Sequence, residues 1–187
     1  QNWNELKMKI KNRLFLLGAA MAVMSSSAFA DTTGTQTFTA TVTADTCTIA
    51  NLNQVIDVGA VLKNDPALKT VSERAVAVFK VTGCDASVTK AVMTPNFDAL
   101  PGFEAAGYAK NKGTAVIDAR FAQKTVGATN ENTQPDWLAP GKKVSVPLVN
   151  GATQFDIGFS LNASSYDLSK VKVGTLDYPL TLTFDFV

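Results

Sequence analysis

Leu180-Thr181-Leu182-Thr183-Phe184-Asp185-Phe186-Val187 closes the sequence, and its reading decides the fold. Apolar and polar residues alternate with a period of two, the period of a β-strand. Leu180, Leu182, Phe184 and Phe186 share one face; Thr181, Thr183, Asp185 and Val187 share the other. A soluble sandwich ordinarily ends in a polar, frayed tail. This strand must instead be buried on one side and hydrogen-bonded along its edges, and no residue follows it in the sequence to supply a further edge partner.

The opposite end shows the same period. Over 34–43, Gln36, Phe38, Ala40 and Val42 point one way, and Thr35, Thr37, Thr39, Thr41 and Thr43 point the other. The segment precedes the first cysteine, Cys47, and the body of the domain. An edge without a neighbour and a strand without a sheet predict an intermolecular solution. The spare strand of one copy fills the gap in the next by β-strand addition.

Between these ends almost nothing reads as helix. Short alternating runs rich in Thr, Val, Phe and Ala are punctuated by Gly, Pro, Asn and Asp. Strands are predicted over 46–50, 53–61, 74–82, 88–93, 114–121, 143–149, 153–161 and 176–187. Residues 95–112 read as a polar excursion and 127–140 as a long loop carrying Trp137. Asn150-Gly151 predicts a hairpin, because both residues tolerate positive φ. Pro147 makes the arm before it an edge strand or a bulged one. About seven or eight strands at this spacing predict one antiparallel β-sandwich.

Of the 187 residues, those before Asp31 read as a leader. Met8 reads as the start, Lys9, Lys11 and Arg13 as a basic n-region, and 14–23 as an apolar run too short for a membrane span. Ala28-Phe29-Ala30 fits a small-x-small cleavage pattern, which places the cut between Ala30 and Asp31. Without residues 1–30, which hold Lys7, Lys9, Lys11, Arg13 and Glu5, the formal charge of +1 becomes slightly negative. The remainder has no basic stripe of the kind that binds nucleic acid.

Cys47 and Cys84 are an even pair in an exported chain, which predicts a disulfide. The alternatives are a zinc site or a catalytic thiol, and the sequence contains no histidine to complete either. No acid/base pair at a defined spacing, Ser-centred elbow or phosphate loop is present. The chain reads as a non-enzyme without cofactor or metal. Trp137, with Tyr108 and Phe103, offers either a sugar site or a pinned loop, and the loop is the expected reading. Asn162-Ala163-Ser164 is a chance match to a glycosylation acceptor. Asp156 and Asp185 are expected to face solvent.

Four further positions add to this. Gly34-Thr35-Gln36-Thr37-Phe38 leads to Cys47, Cys84 follows Val81-Thr82-Gly83, Gly174 stands fourteenth from the end, and the penultimate residue, Phe186, is aromatic. In this combination the chain resembles the type 1-like pilins of bacterial chaperone–usher fimbriae, with Phe186 where that family usually has Tyr. The resemblance implies an all-β fold, an incomplete immunoglobulin-like antiparallel β-sandwich lacking its final strand and completed by donor-strand exchange. It divides the chain into upstream residues and signal peptide (1–30), a donor-strand extension (31–45) and a pilin domain (46–187). The implied function is that of a structural subunit of a surface fimbria or pilus supporting cell adhesion. The alternative is a minor adaptor or a receptor-binding, adhesive pilin.

By the same resemblance, Gly34, Gln36, Phe38, Ala40 and Val42 form the donor strand. Gly174, Leu180, Leu182, Phe184, Phe186 and Val187 belong to the groove and chaperone-binding strand. The implied partners are a periplasmic pilus chaperone, an outer-membrane usher, other copies of the chain and other pilin subunits, and a host receptor. The implied route runs through the periplasm to the cell-surface fimbrium.

Overall fold

The computed structural model describes residues 32–42, 47–61, 66–162 and 171–187. The leader, the Ala30–Asp31 boundary and most of the Asn162-Ala163-Ser164 match lie outside the described residues. The chain is all-β. Its strands are β1 (Thr32–Val42), β2 (Thr48–Ala50), β3 (Asn53–Val61), β4 (Ser72–Thr82), β5 (Lys90–Asn96), β6 (Tyr108–Ala109), β7 (Asp118–Gln123), β8 (Thr129–Asn130), β9 (Val144–Pro147), β10 (Thr153–Asn162) and β11 (Leu180–Phe186). They form two sheets. A six-stranded sheet has the order β3-β1-β11-β5-β9-β8, and a five-stranded sheet has the order β2-β4-β10-β7-β6. The strand over 46–50 is present as the short β2, and the strand count exceeds the expected one because β6 and β8 span only two residues each, too few to register as alternating runs.

Period-two patterning decides which side chains meet between the sheets. Along β4, Ala75, Ala77, Phe79 and Val81 are buried, while Val76, Lys80 and Thr82 are exposed. Across the sandwich, Phe184 on β11 lies 5.6 Å from Phe79 and 5.2 Å from Phe155, centroid to centroid. Phe121 on β7 lies 5.1 Å from Phe97 and 5.6 Å from Phe159. A fully buried side chain of this size contributes roughly 1.5–3 kcal/mol, so these rings hold the two sheets together.

Cys47 and Cys84 form the expected disulfide, with Cα atoms 4.2 Å apart and a sequence separation of 37. In the chain-entropy treatment a loop of this length contributes about 4 kcal/mol. The bond ties the start of β2 to the end of β4, where Thr48 pairs with Thr82.

Two expectations are corrected. Asn150-Gly151 makes its tight turn, with φ of 53° and 70°, closed by paired bonds between Val149 and Ala152 of 2.9 and 3.1 Å. The arms do not continue as a hairpin, however. β9 pairs with β5 and β8 in one sheet, and β10 with β4 and β7 in the other. Val144 and Val146 have their ladder partners on β5, so the turn carries the chain from one sheet to the next. Pro147 lies beyond the short β8, where its missing N–H is harmless. Second, Asp156 and Asp185 are half-buried rather than fully solvent-facing; Asp156 accepts a hydrogen bond from the Gln154 amide at 2.6 Å.

The long loop after β7 folds back over that strand. Leu138 donates its N–H to the Phe121 carbonyl at 2.9 Å, and Gln123 donates to the Asp136 carbonyl at 3.0 Å. This covers β7 on its outer side, which is why Asp118, Ala119, Arg120 and Phe121 are all buried. The Arg120 guanidinium carbon lies 3.4 Å from the Trp137 ring centroid and 4.5 Å from that of Tyr108. Its Nε donates to the Ala106 carbonyl at 2.8 Å. Burial pulls the Arg120 pKa below its ordinary value, and the aromatic faces stabilise the cation that remains. One face of each ring is thus taken by the protein's own arginine, which favours the pinned-loop reading of Trp137 over a sugar site.

Candidate assembly groove

The position between β3 and β11 is the site to which both ends of the sequence point. β1 occupies it. On one side β1 pairs antiparallel with β3, from Thr32 opposite Val61 to Thr39 opposite Asn53, with an irregularity between Gly34 and Thr35. On the other it pairs parallel with β11, from Phe38 opposite Leu180 to Val42 opposite Phe184. Among the described residues, the other strand pairs are antiparallel.

The alternation read from the sequence is the alternation of burial. Gln36, Phe38 and Ala40 are 2%, 0% and 6% exposed. Gly34 and Val42 are half-buried on the same face, while Thr35, Thr37, Thr39 and Thr41 face outward. Phe38 reaches across the sandwich to Phe121, edge-on at 6.4 Å. Gln36 is the polar exception on the buried face. Its amide donates to the Tyr178 carbonyl at 2.8 Å and to the Thr37 carbonyl at 2.9 Å, which offsets its desolvation. At Gly34 a Cβ would stand 3.1 Å from Leu176 Cβ and 3.3 Å from its Cδ1. Leu176 fills the space a side chain would need.

The facing wall is β11. Leu180, Leu182 and Phe184 are fully buried, and Phe186 is half-buried at the margin. Val187 is exposed, but its main chain is fixed. Its carbonyl accepts from the N–H of Thr89 at 2.8 Å and of Lys90 at 2.9 Å, and its N–H donates to the Lys90 carbonyl at 3.0 Å. Tyr178, just ahead of β11, is buried and donates its hydroxyl to the Ile117 carbonyl.

Gly174 is placed elsewhere than on β11, in the segment that leads to it. A Cβ there would lie 2.5 Å from Thr114 Oγ1 and 2.6 Å from the Ala115 nitrogen. The two segments are laced together: Lys112 donates to the Asp177 carbonyl at 2.8 Å, Ala115 to the Thr175 carbonyl at 3.1 Å, and Asp177 to Asn111 Oδ1 at 2.8 Å. Gly174→Ala is expected to force these backbones apart and cost about 1–3 kcal/mol, read as a lower urea midpoint. Lys172→Ala, at an exposed position in the same segment, is the matched control and should shift stability by less than about 0.5 kcal/mol.

Sequence reasoning missed two features of this region. One is the approach of 111–115 to 174–177, which two glycines outside any obvious turn, Gly113 and Gly174, could have signalled. The other is that β1 sits in its own chain's groove. Elsewhere, an open hollow of about 560 Å³ lies beside the disulfide, between Cys84-Asp85-Ala86 and Asn150-Gly151. Among the described residues no three His, Cys, Asp or Glu side chains converge as metal ligands would.

No protein-family model and no curated protein matches the chain. Among solved structures, the crystal structure of the P pilus rod subunit PapA is similar, with a TM-score of 0.54. The fold is that of a pilus rod subunit. The match covers 76% of this chain and 99% of that one, at 13% sequence identity, so what the two share is the architecture. That neighbour is a structural subunit rather than an enzyme.

Proposed function

We propose that this protein is a structural subunit of a surface pilus, and that it polymerises when its N-terminal strand enters the groove of a neighbouring copy. One observation carries the reading. The place between β3 and β11 is filled by a segment from the N-terminal end of the sequence, joined to the body only through residues 43–47. Such a segment can be exchanged while β11, β5, β9 and β8 stay paired and the five-stranded sheet is untouched; β3, whose ladder partner is β1, waits for the incoming strand. Its buried face offers Phe38 and Ala40, and its edges offer a ladder to each side. In a neighbour's groove the same contacts would join two subunits, and a junction of this kind opens slowly.

In this reading a periplasmic chaperone holds the groove, bounded by Leu180, Leu182, Phe184 and Phe186, before assembly. An outer-membrane usher then presides over the exchange, and the fibre supports adhesion at the cell surface. Purified protein is expected to run on unboiled SDS gels as a ladder of multimers that collapses to monomer on boiling. A single monomer band at every concentration, with and without boiling, would contradict assembly by this route.

A further inference from the structure

We infer that Arg120 forms the base of a binding site for a carboxylated sugar, on the outer side of the five-stranded sheet. The site lies in the sheet opposite the assembly groove and stands apart from the assembly reading.

Arg120 points away from the space between the sheets because its neighbours Ala119 and Phe121 point into it. Two loops close over it on the outer side and leave it 9% exposed. The Trp137 ring lies against the guanidinium, and so does the ring of Tyr108, its ladder partner on β6. Asn132 ties the two loops together. Its amide donates to the Ala105 carbonyl at 2.7 Å and to the Trp137 carbonyl at 2.9 Å. The walls around Arg120 are therefore set before any ligand arrives.

The N–H donors of a guanidinium lie in its plane, where rings stacked on its faces do not meet them. The Nε donor goes to the Ala106 carbonyl. Among the described residues, neither Nη group of Arg120 has an acceptor, and no carboxylate forms an ion pair with it. The Nη groups are not among the partnerless side-chain atoms sealed from solvent, so the open end of the fork can be reached. A cation nine-tenths buried with unused donors weakens the fold. An anion seated on the fork offsets that cost with two parallel, charge-assisted hydrogen bonds.

Charge and neighbours define the anion. Burial, rather than a second cation, is what lowers the Arg120 pKa, so the site carries one fixed positive charge. One guanidinium matches the single charge of a carboxylate better than the double charge of a phosphate ester. Phe103 supplies the sugar-facing surface. It is 51% exposed and stands edge-on to Tyr108 at 5.6 Å, an uncovered apolar ring beside an anion fork. The C–H face of a pyranose can lie on that ring while its carboxylate reaches Arg120. Trp137 keeps its place as a wall that holds the arginine.

The test is calorimetric titration of the full chain, at constant ionic strength, with sodium glucuronate, sodium acetate, sodium sulfate and glucose. Glucuronate should saturate with half-occupancy at about 1 mM, the modest affinity that one bidentate pair supplies. Acetate has the charge without the ring, glucose the ring without the charge, and each should bind about ten-fold more weakly or worse. Arg120→Lys keeps the charge but lacks the fork, and should lose about ten-fold or more in glucuronate affinity. Phe103→Ala, at an exposed position, should leave the fold intact, weaken glucuronate several-fold and leave acetate unchanged.

Glucuronate that fails to saturate, or that binds no tighter than glucose, acetate or sulfate, would overturn the inference. So would unaltered glucuronate affinity in folded Arg120→Lys or in Phe103→Ala.

Discussion

Phe38→Asp is expected to abolish multimers while the Thr39→Asp variant, one residue along, assembles normally. Phe38 is fully buried between the sheets, edge-on to Phe121. Removing its ring costs about 3–5 kcal/mol by analogy with other buried aromatic truncations. An unpaired carboxylate in the same place, within the apolar core cluster, adds a desolvation penalty. Gly34, Gln36, Ala40 and Val42 cannot make up such a loss, because two of them are half-buried and Ala40 is small. Thr39 faces outward and is exposed, so a carboxylate there stays in water. The two variants differ by one position and by which face carries the charge, which a one-residue register slip would interchange. Unboiled gels would read the difference. A normal ladder from Phe38→Asp would show that β1 is not the strand on which assembly depends.

Phe184→Asp should have the larger effect on the subunit itself, namely loss of the folded protein. Its ring joins the two sheets, 5.6 Å from Phe79 and 5.2 Å from Phe155. In the proposed assembly Phe38 belongs to the strand that is exchanged, whereas Phe184 belongs to β11, in the wall of the groove. A charge there is buried whoever occupies the groove, and its cost approaches the 5–15 kcal/mol that holds a typical domain folded. Soluble protein recovered from an exporting host should fall below detection. Phe184→Leu keeps an apolar side chain and should cost about 1–3 kcal/mol, leaving a folded chain with a lower melting temperature. Full recovery of folded Phe184→Asp would mean that β11 does not bound the core as described.

What the sequence made legible was whatever depends on local period. The alternation over 34–43 and 180–187 specified which side chains of β1 and β11 would be buried, because a strand with one buried face has a fixed side-chain parity. The cysteine pair and the Asn150-Gly151 turn were legible for equally local reasons. Partnership was harder. Asn150-Gly151 fixes a turn, but whether its arms stay together depends on β5, β4 and β7, which lie far away in sequence. Arg120 alternates with Ala119 and Phe121 as an outward residue should, and only the returning loop with Trp137 turns that outward place into a buried one. The parallel run of β1 beside β11 was least legible of all, since the two strands stand at opposite ends of the sequence and nothing local to either sets their relative direction.

The polar member of the buried set on β1 is an amide, Gln36, bonded to a main-chain carbonyl. Its companions Phe38, Ala40 and Val42, and the facing Leu180, Leu182 and Phe184, carry no group that gains or loses a proton. Proton linkage requires a group whose affinity for protons differs between the seated and unseated states, and these side chains provide none. Acidification therefore has no direct hold through the buried face of the seated strand; the carboxylate its ladder partners bring beside it is Asp57, opposite Thr35 on β3.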